Sequence, residues 1–194
     1  MTFYKPRLEM LSDKEKGYLF GLFEGDGYSI YDRKRKHYIV DFYLNARKDE
    51  DIKKFLLKIL YKIGLNPYVF EQEGKNCNRI RIRSKLFKEF IENQNYKNLN
   101  KDSKMGFLSG FIDAEGYVVP KKSTLGIVNT NKQLMGMCVN ILNEANIYCS
   151  IRQRVRSKKD KLKSYLILIS MKFKNTKHIS QKVWRLGSCS AGRI

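Results

Sequence analysis

Asp26 and Glu115 are the residues of this 194-residue chain best placed to do chemistry. Each closes a stretch that is the same helix written twice. Residues 17–28 read GYLFGLFEGDGY and residues 106–117 read GFLSGFIDAEGY, at a constant offset of 89. Five of the twelve positions are identical, Gly17/Gly106, Leu19/Leu108, Gly21/Gly110, Gly27/Gly116 and Tyr28/Tyr117, and only Phe20/Ser109 changes character. A glycine follows each acid and reads as a helix stop. Both acids are therefore expected at helix C-termini, where the macrodipole is negative and a carboxylate costs about 0.3–1 kcal/mol. Glu24 and Asp113 add a second acid to each last turn. A local rule broken the same way in both copies is where function is expected. Two acids held together resist joint ionisation, and a divalent cation removes that conflict. Oxygen ligands without His or Cys favour Mg²⁺.

The glycines say how the acids would meet. Gly17, Gly21 and Gly25 are spaced i, i+4, i+8 and share one helix face, and Gly106, Gly110 and Ala114 repeat the pattern. An interior glycine costs up to ~1 kcal/mol relative to alanine, so three in register need a reason. Two such faces can pack backbone to backbone. The helices would then cross at a pseudo-two-fold axis, with Asp26 and Glu115 side by side at one end.

The segments LFGLFEGDG (19–27) and LSGFIDAEG (108–116) resemble the two motifs of the LAGLIDADG homing endonucleases. The duplication runs past the motif. Ile52, Phe55, Leu56, Ile59, Leu60 and Ile63 form an amphipathic helical face stopped by Gly64, and 82 residues on the same face returns as Leu134, Met137, Cys138, Ile141, Leu142 and Ala145, stopped by Asn146. The stretch 38–45 is rich in aromatic and β-branched residues and reads as a strand behind a basic hairpin tip, 32–37. The second hairpin turns near residues 120–123, and the alignment of Asn45 with Asn129 puts the offset there at 84. Strands follow at 67–73, 78–84, 147–156 and 164–171, and helices at 85–92 and 172–186, the latter with Trp184. Ser12-Asp13-Lys14-Glu15 is a capping box for the first helix.

The expected fold is therefore α/β (α+β), with duplicated α-β-β-α-β-β-α halves at 1–92 and 105–186, a polar linker at 93–104 and a tail at 187–194. The resemblance implies the same architecture, with motif helices at the interface and curved antiparallel sheets facing the DNA major groove.

Composition narrows the partners. Lys plus Arg number 39 against 19 Asp plus Glu, a net charge of +20, which points to a polyanion, nucleic acid first. No apolar run approaches ~18 residues and no signal peptide is visible at the N-terminus, so no membrane partner is expected. The four cysteines show no CxxC spacing and read as reduced thiols in a reducing, intracellular setting. With only His37 and His178, a histidine-centred zinc or nuclease site is not expected.

Two strands alternate arginine with apolar residues. Arg79, Arg81 and Arg83 share one face of RIRIR, and Arg152, Arg154 and Arg156 share one face of IRQRVR. Arginine rows suit phosphates and the O6/N7 edge of guanine. In the first hairpin Ser29, Tyr31, Arg33, Asp41 and Tyr43 have the parity opposite to Val40, Phe42 and Leu44, and read as base-edge contacts.

The resemblance implies a site-specific endonuclease that hydrolyses two phosphodiester bonds of a long, non-palindromic duplex, leaves short 3′ overhangs and promotes intron mobility. It implies that Asp26 and Glu115 share two or three Mg²⁺ ions, helped by the carbonyls of Gly25 and Ala114. It also implies a basic, water-positioning pocket. Lys85 and Lys172, each following its half's last strand, are the expected catalytic lysines. The position often held by glutamine falls on Arg47 and Asn131. The alternatives are an RNA maturase acting on a host intron and an inactive DNA-binding protein on the same scaffold. Two fused halves suggest a monomer. The initial Met and the lack of splicing-type termini suggest a free-standing, intron-encoded protein. A Lys-, Asn-, Ile- and Tyr-rich composition suits an archaeal cytoplasm or an organelle that encodes the protein.

Overall fold

The computed structural model of this protein describes residues 5–72, 74–94, 98–154 and 163–170. The helix expected at 172–186 with Trp184, the tail at 187–194, Lys172 and Arg156 lie outside the described residues. The described elements are α1 (Asp13–Asp26), β1 (Gly27–Asp32), β2 (His37–Asn45), α2 (Glu50–Lys62), β3 (Tyr68–Gln72), β4 (Cys77–Arg83), α3 (Lys85–Glu92), α4 (Lys101–Glu115), β5 (Gly116–Val119), β6 (Thr124–Asn129), α5 (Lys132–Glu144), β7 (Cys149–Arg154) and β8 (Ser164–Ser170). They make five helices and two four-stranded antiparallel sheets, ordered β1-β2-β4-β3 and β5-β6-β8-β7. The chain divides into two compact units, Met1–Ala114 and Glu115–Ile194.

In the first unit α1 starts at the capping box read from sequence. The Glu15 amide donates to Ser12 Oγ at 3.2 Å and the Ser12 amide donates to Glu15 at 2.8 Å. The same carboxylate accepts from Lys62 at 2.7 Å, which ties α1 to the end of α2. Residues 17–22 of α1 are buried without interruption, the mark of a helix enclosed on all sides. One of its neighbours is α4. A β-carbon on Gly17 would strike the Ser103 carbonyl, and one on Gly21 the Phe107 carbonyl. From the other side, Gly106 lies on the Lys14 carbonyl and Gly110 on that of Tyr18. The contacts advance along both helices in the same sense, so α1 and α4 run parallel with backbones touching. Asn100 pins the start of this seam: its Oδ1 accepts from the Ser103 amide at 2.9 Å, and its Nδ2 donates to Asp13 at 2.7 Å. Further along, Tyr18 donates to the buried Asp113 at 3.0 Å. Because α4 begins at Lys101, the end of the polar 93–104 stretch is helical.

The sheet of this unit buries Val40, Phe42, Leu44, Ile80 and Ile82, and α1, α2 and α3 pack against β2. In the second unit β6 and β8 bury Leu125, Ile127, Ile167 and Ile169, and α5 packs on β7 and β8. The duplication is visible in matching helix ends. Gly64 (φ +79°) and Asn146 (φ +55°) are both left-handed. Leu65 donates to Leu60 at 3.0 Å as Ile147 donates to Leu142 at 2.8 Å, the same helix-ending motif in each half. Cys77, Cys138 and Cys149 are free thiols. Burial pushes the Cys138 thiol up to about 12.

Two sequence expectations change. Gly27 is not a left-handed stop: its backbone is extended (φ −96°, ψ 155°), and α1 runs straight into β1. Glycine is needed there because a β-carbon would collide with the Phe23 carbonyl and ring. The hairpin offset is also 85, not 84, since Gly27 faces Phe42 where Gly116 faces Ile127. Asn129 therefore matches Leu44, and not Asn45.

Gly21→Ala or Gly110→Ala forces the helix backbones apart. Each is expected to cost at least about 2 kcal/mol of unfolding free energy, as overpacking against rigid backbone does. Urea denaturation reads this as a lowered midpoint, and an unchanged midpoint contradicts the seam.

Candidate active site and nucleic-acid face

Asp26 is the last residue of α1 and Glu115 the last of α4. Both are half-buried. Each lies where the helix dipole is negative and intrahelical donors for the last carbonyls run out. Gly25 and Ala114 precede them in those last turns. Since α1 and α4 are parallel, Asp26 and Ala114 finish at the same end of the seam, inside the first unit. Glu115 belongs to the second unit, where the Asn129 side chain donates from Nδ2 to its Oε1 at 2.8 Å. Sequence reading assigned Asn129 no role. Its equivalent in the first unit is Leu44, which is buried and has no donor. The surroundings of the two acids thus differ beyond Asp against Glu.

Asp26 enters the sheet at the end where Asn45 pairs with Cys77. Burial and the Asp26 charge push the Cys77 thiol up, while Lys75 pulls it down. Lys75, in the turn before β4, is a cation that sequence reading missed. Strand pairing, which carries it back to the start of β1, is the signal that finds it. Arg47 lies at this end too, exposed, in the turn after Asn45, its amide donating to Asn45 Oδ1 at 3.1 Å.

Lys85 is at the wrong end. It opens α3 beyond Arg83, six strand residues from Cys77, which is about 20 Å of extended chain. There its Nζ lies 3.7 Å from Glu89 and 5.8 Å from the Tyr38 ring centre. Lys85 is therefore not placed for the expected catalytic role at Asp26, because β4 runs away from that acid. Asn131 is likewise occupied: its side chain caps α5, accepting from Gln133 and Leu134 at 3.0 and 3.2 Å.

The arginine rows are real but not equivalent. Arg79, Arg81 and Arg83 stand on β4, in the interior of the first sheet; Arg152 and Arg154 stand on β7, the edge of the second. The register sets Arg81 opposite Asp41 and Tyr68, Arg79 opposite Tyr43 and Phe70, and Arg83 opposite Ile39. Tyr28, opposite Asp41, and Ile30, opposite Ile39, complete this face. The corresponding face of the second sheet carries Val128, Gly126, Leu166 and Leu168, with the Tyr117 ring over Gly126 and with Arg152 and Arg154 on the edge strand beside them.

Three hairpin residues are placed differently from the expectation. Ser29 faces Val40 and Tyr31 faces Tyr38, so both lie on the side of the core, because the pairing starts at Gly27↔Phe42. Ser29 donates to Glu92 of α3, and the Tyr31 ring lies tilted against that of Tyr38 with ring centres 4.6 Å apart. Asp41 is on the expected face but fully buried (0% exposed). Arg33 is in the hairpin turn and Tyr43 is half-buried.

Asp41 is held by two guanidiniums. Arg81 donates from Nε to Oδ1 at 2.8 Å and from Nη2 to Oδ2 at 3.0 Å. Arg79 donates from Nε to Oδ2 at 3.0 Å and also from Nη2 to the same oxygen. Burial pushes the Asp41 carboxyl above its ordinary value, and the Arg81 contacts oppose that shift.

Among the described residues no group of three or more His, Cys, Asp or Glu side chains could hold a metal. Two carboxylates at two helix ends offer hard oxygens only. Each is of the hard-oxygen type that divalent cations such as Mg²⁺ and Ca²⁺ take as ligands.

The profile of the LAGLIDADG-like domain family matches residues 13–95 and again 102–178. A curated relative, the uncharacterized protein MJ0314 of Methanocaldococcus jannaschii, is 27% identical over 169 residues, 78% of this chain. The chain spans 63% of that relative's length. Among solved structures, I-DmoI in complex with DNA and Ca aligns over 92% of this chain and 98% of its own, with a TM-score of 0.68 and 20% identity. The N-terminal LAGLIDADG domain of DUF199/WhiA aligns over 81% of this chain and 77% of its own, with a TM-score of 0.56 and 15% identity. At these identities the structural likenesses establish the fold.

Asn131→Ala is expected to lose about 1 kcal/mol of stability, the usual worth of an N-cap, with Asn131→Ser recovering most of it. Thermal unfolding reads the difference. Equal melting temperatures for wild type and Asn131→Ala contradict the capping role.

Proposed function

This chain belongs to the LAGLIDADG-like domain family, and from that premise we propose that it is a site-specific, divalent-metal-dependent DNA endonuclease. The observation that carries the reading is the parallel, glycine-packed pair of helices, each of which has an acid as its last residue. A structural helix end has no need of paired acids against its own dipole; a cation-binding pair does. The net charge of +20 supports a nucleic-acid substrate. The relation to I-DmoI, a homing endonuclease solved with DNA and divalent metals, supports duplex DNA.

In this proposal Asp26 and Glu115 bind Mg²⁺ through carboxylate oxygens, with the Gly25 and Ala114 carbonyls beside them. When bound, divalent cations stabilise the attacking and leaving oxygens of an in-line displacement. Asn129 fixes the Glu115 carboxylate, and outer hydrogen bonds of this kind govern ligand geometry. Arg47 and Lys75 supply positive charge at the Asp26 end, where the scissile phosphate would lie. Each acid serves one strand, so the product is a double-strand break with short 3′ overhangs, which promotes intron mobility. One chain carries both motifs and acts as a monomer on a non-palindromic site. The Methanocaldococcus jannaschii relative supports an archaeal setting.

The test is cleavage of DNA spanning the intron-free form of the host gene, with Mg²⁺ or EDTA. Wild type is expected to break both strands only with the metal. Asp26→Asn and Glu115→Gln are each expected to lower double-strand cleavage by about 100-fold or more, on the scale of losing one charge-stabilising group, leaving at most a nick. Tight binding of that DNA with no cut by the wild type overturns the endonuclease reading in favour of a binding protein.

A further inference from the structure

The buried carboxylate of Asp41 uses only part of each arginine that it holds. A guanidinium is a planar fork with five N–H donors. Asp41 takes Nε and one Nη2 hydrogen of both Arg79 and Arg81. The Nη1 hydrogens and the second Nη2 hydrogen, the outer edge of the fork, remain on each. Aromatic rings lie close to both. Arg79 lies 5.4 Å from the Tyr43 ring centre and 5.7 Å from that of Phe70, and Arg81 lies 5.9 Å from Phe70. With aromatic rings beside both guanidiniums and the inner edge tied, the outer edge is the part left for a ligand. It is pre-oriented, so little rotamer entropy is lost on binding.

One carboxylate between two guanidiniums leaves a net charge of +1 in the cluster, so it still favours an anionic or acceptor-rich partner. The side chains are recessed, at 22% and 14% exposure, and they stand on an interior strand. A sheet laid in a major groove offers its centre to base edges and its rim to phosphates. The exposed Arg152 and Arg154, on an edge strand, have the rim position. A fixed fork with two outward donors matches one base edge above the others, O6 and N7 of guanine.

We propose that Asp41 is a positioning residue that orients Arg79 and Arg81 as a guanine-reading pair, so that the half-site met by the first sheet carries obligatory guanines. Among the described residues, the equivalent face of the second sheet holds Val128, Gly126, Leu166 and Leu168 on its interior strands and Arg152 and Arg154 on its edge strand, so no carboxylate-tied arginine pair stands at its centre to impose the same requirement. This rests on the duplex-DNA reading above.

The experiment is selection of bound duplexes from a library randomised across the target, with Mg²⁺ replaced by Ca²⁺ to hold binding apart from cleavage. Wild type, Arg79→Lys, Arg81→Lys and Asp41→Asn are compared after circular dichroism shows each folded. Lysine keeps the charge but lacks the fork. Wild type is expected to require guanine at positions within one half-site. Arg79→Lys and Arg81→Lys are expected each to lose at least about five-fold discrimination at its own position, within the range of one bidentate contact, with other positions unchanged. Asp41→Asn is expected to blur both positions together, which a merely structural ion pair would not do. A uniform fall in affinity for all sequences makes the arginines phosphate contacts and overturns the proposal. So does a wild-type profile without guanine in either half-site. Should Asp41→Asn not fold, the two lysine variants decide alone. Failure to enrich any duplex sinks the DNA reading itself, an outcome separate from loss of guanine preference.

Discussion

Backbone contact between α1 and α4 is the constraint from which the rest of the first unit follows. Four glycines leave no side chain between the helices, so carbonyls of one lie on the α-carbons of the other. Such a contact tolerates little sliding, because any neighbouring residue brings a β-carbon into the seam. Asn100 and Asp13 hold one end, and Tyr18 and Asp113 hold it further along. The parallel sense brings two negative helix ends together, an arrangement that costs electrostatic energy unless a cation is near. The cost of the seam and the proposed use of the acids are therefore one feature. The packing that defines the fold is also what places the two acids proposed to bind a divalent ion.

The two halves share a plan and differ in detail. Matching helix ends at Gly64 and Asn146, and matching sheet orders, show the duplication. The differences fall where function is proposed. Glu115 has the Asn129 amide, where Asp26 has Leu44 on the equivalent position. The arginine row is central in one sheet and marginal in the other. Such divergence is compatible with the non-palindromic target proposed above.

The fold was legible because its signals are local. The capping box at Ser12, the apolar spacing of 52–63 and the alternation in RIRIR each report on a few neighbouring residues, and each stands as written. The repeat itself carried the topology. What sequence missed needs the pairing of distant strands. Lys85 follows the last strand of its half, yet that strand runs away from Asp26, so proximity in motif order became about 20 Å in space. Parity counted through a turn puts Ser29 and Tyr31 on the face opposite to Val40, whereas the register sets them on the core side. Asp41 has the type and parity of a base contact, but two arginines bury it, and no single strand reveals that. Asn129 was hidden by an alignment one residue out of step, which matched it with Asn45 in place of Leu44.

The central claim is that the ends of α1 and α4 bind the same divalent ions. Paramagnetic broadening by sub-stoichiometric Mn²⁺, read from amide resonances of the full chain with duplex DNA present, tests it directly. Residues 25–28 and 114–117 should broaden together, and Glu115→Gln should weaken the effect at both helix ends. Broadening confined to one end, or spread over the surface acids, would contradict the account.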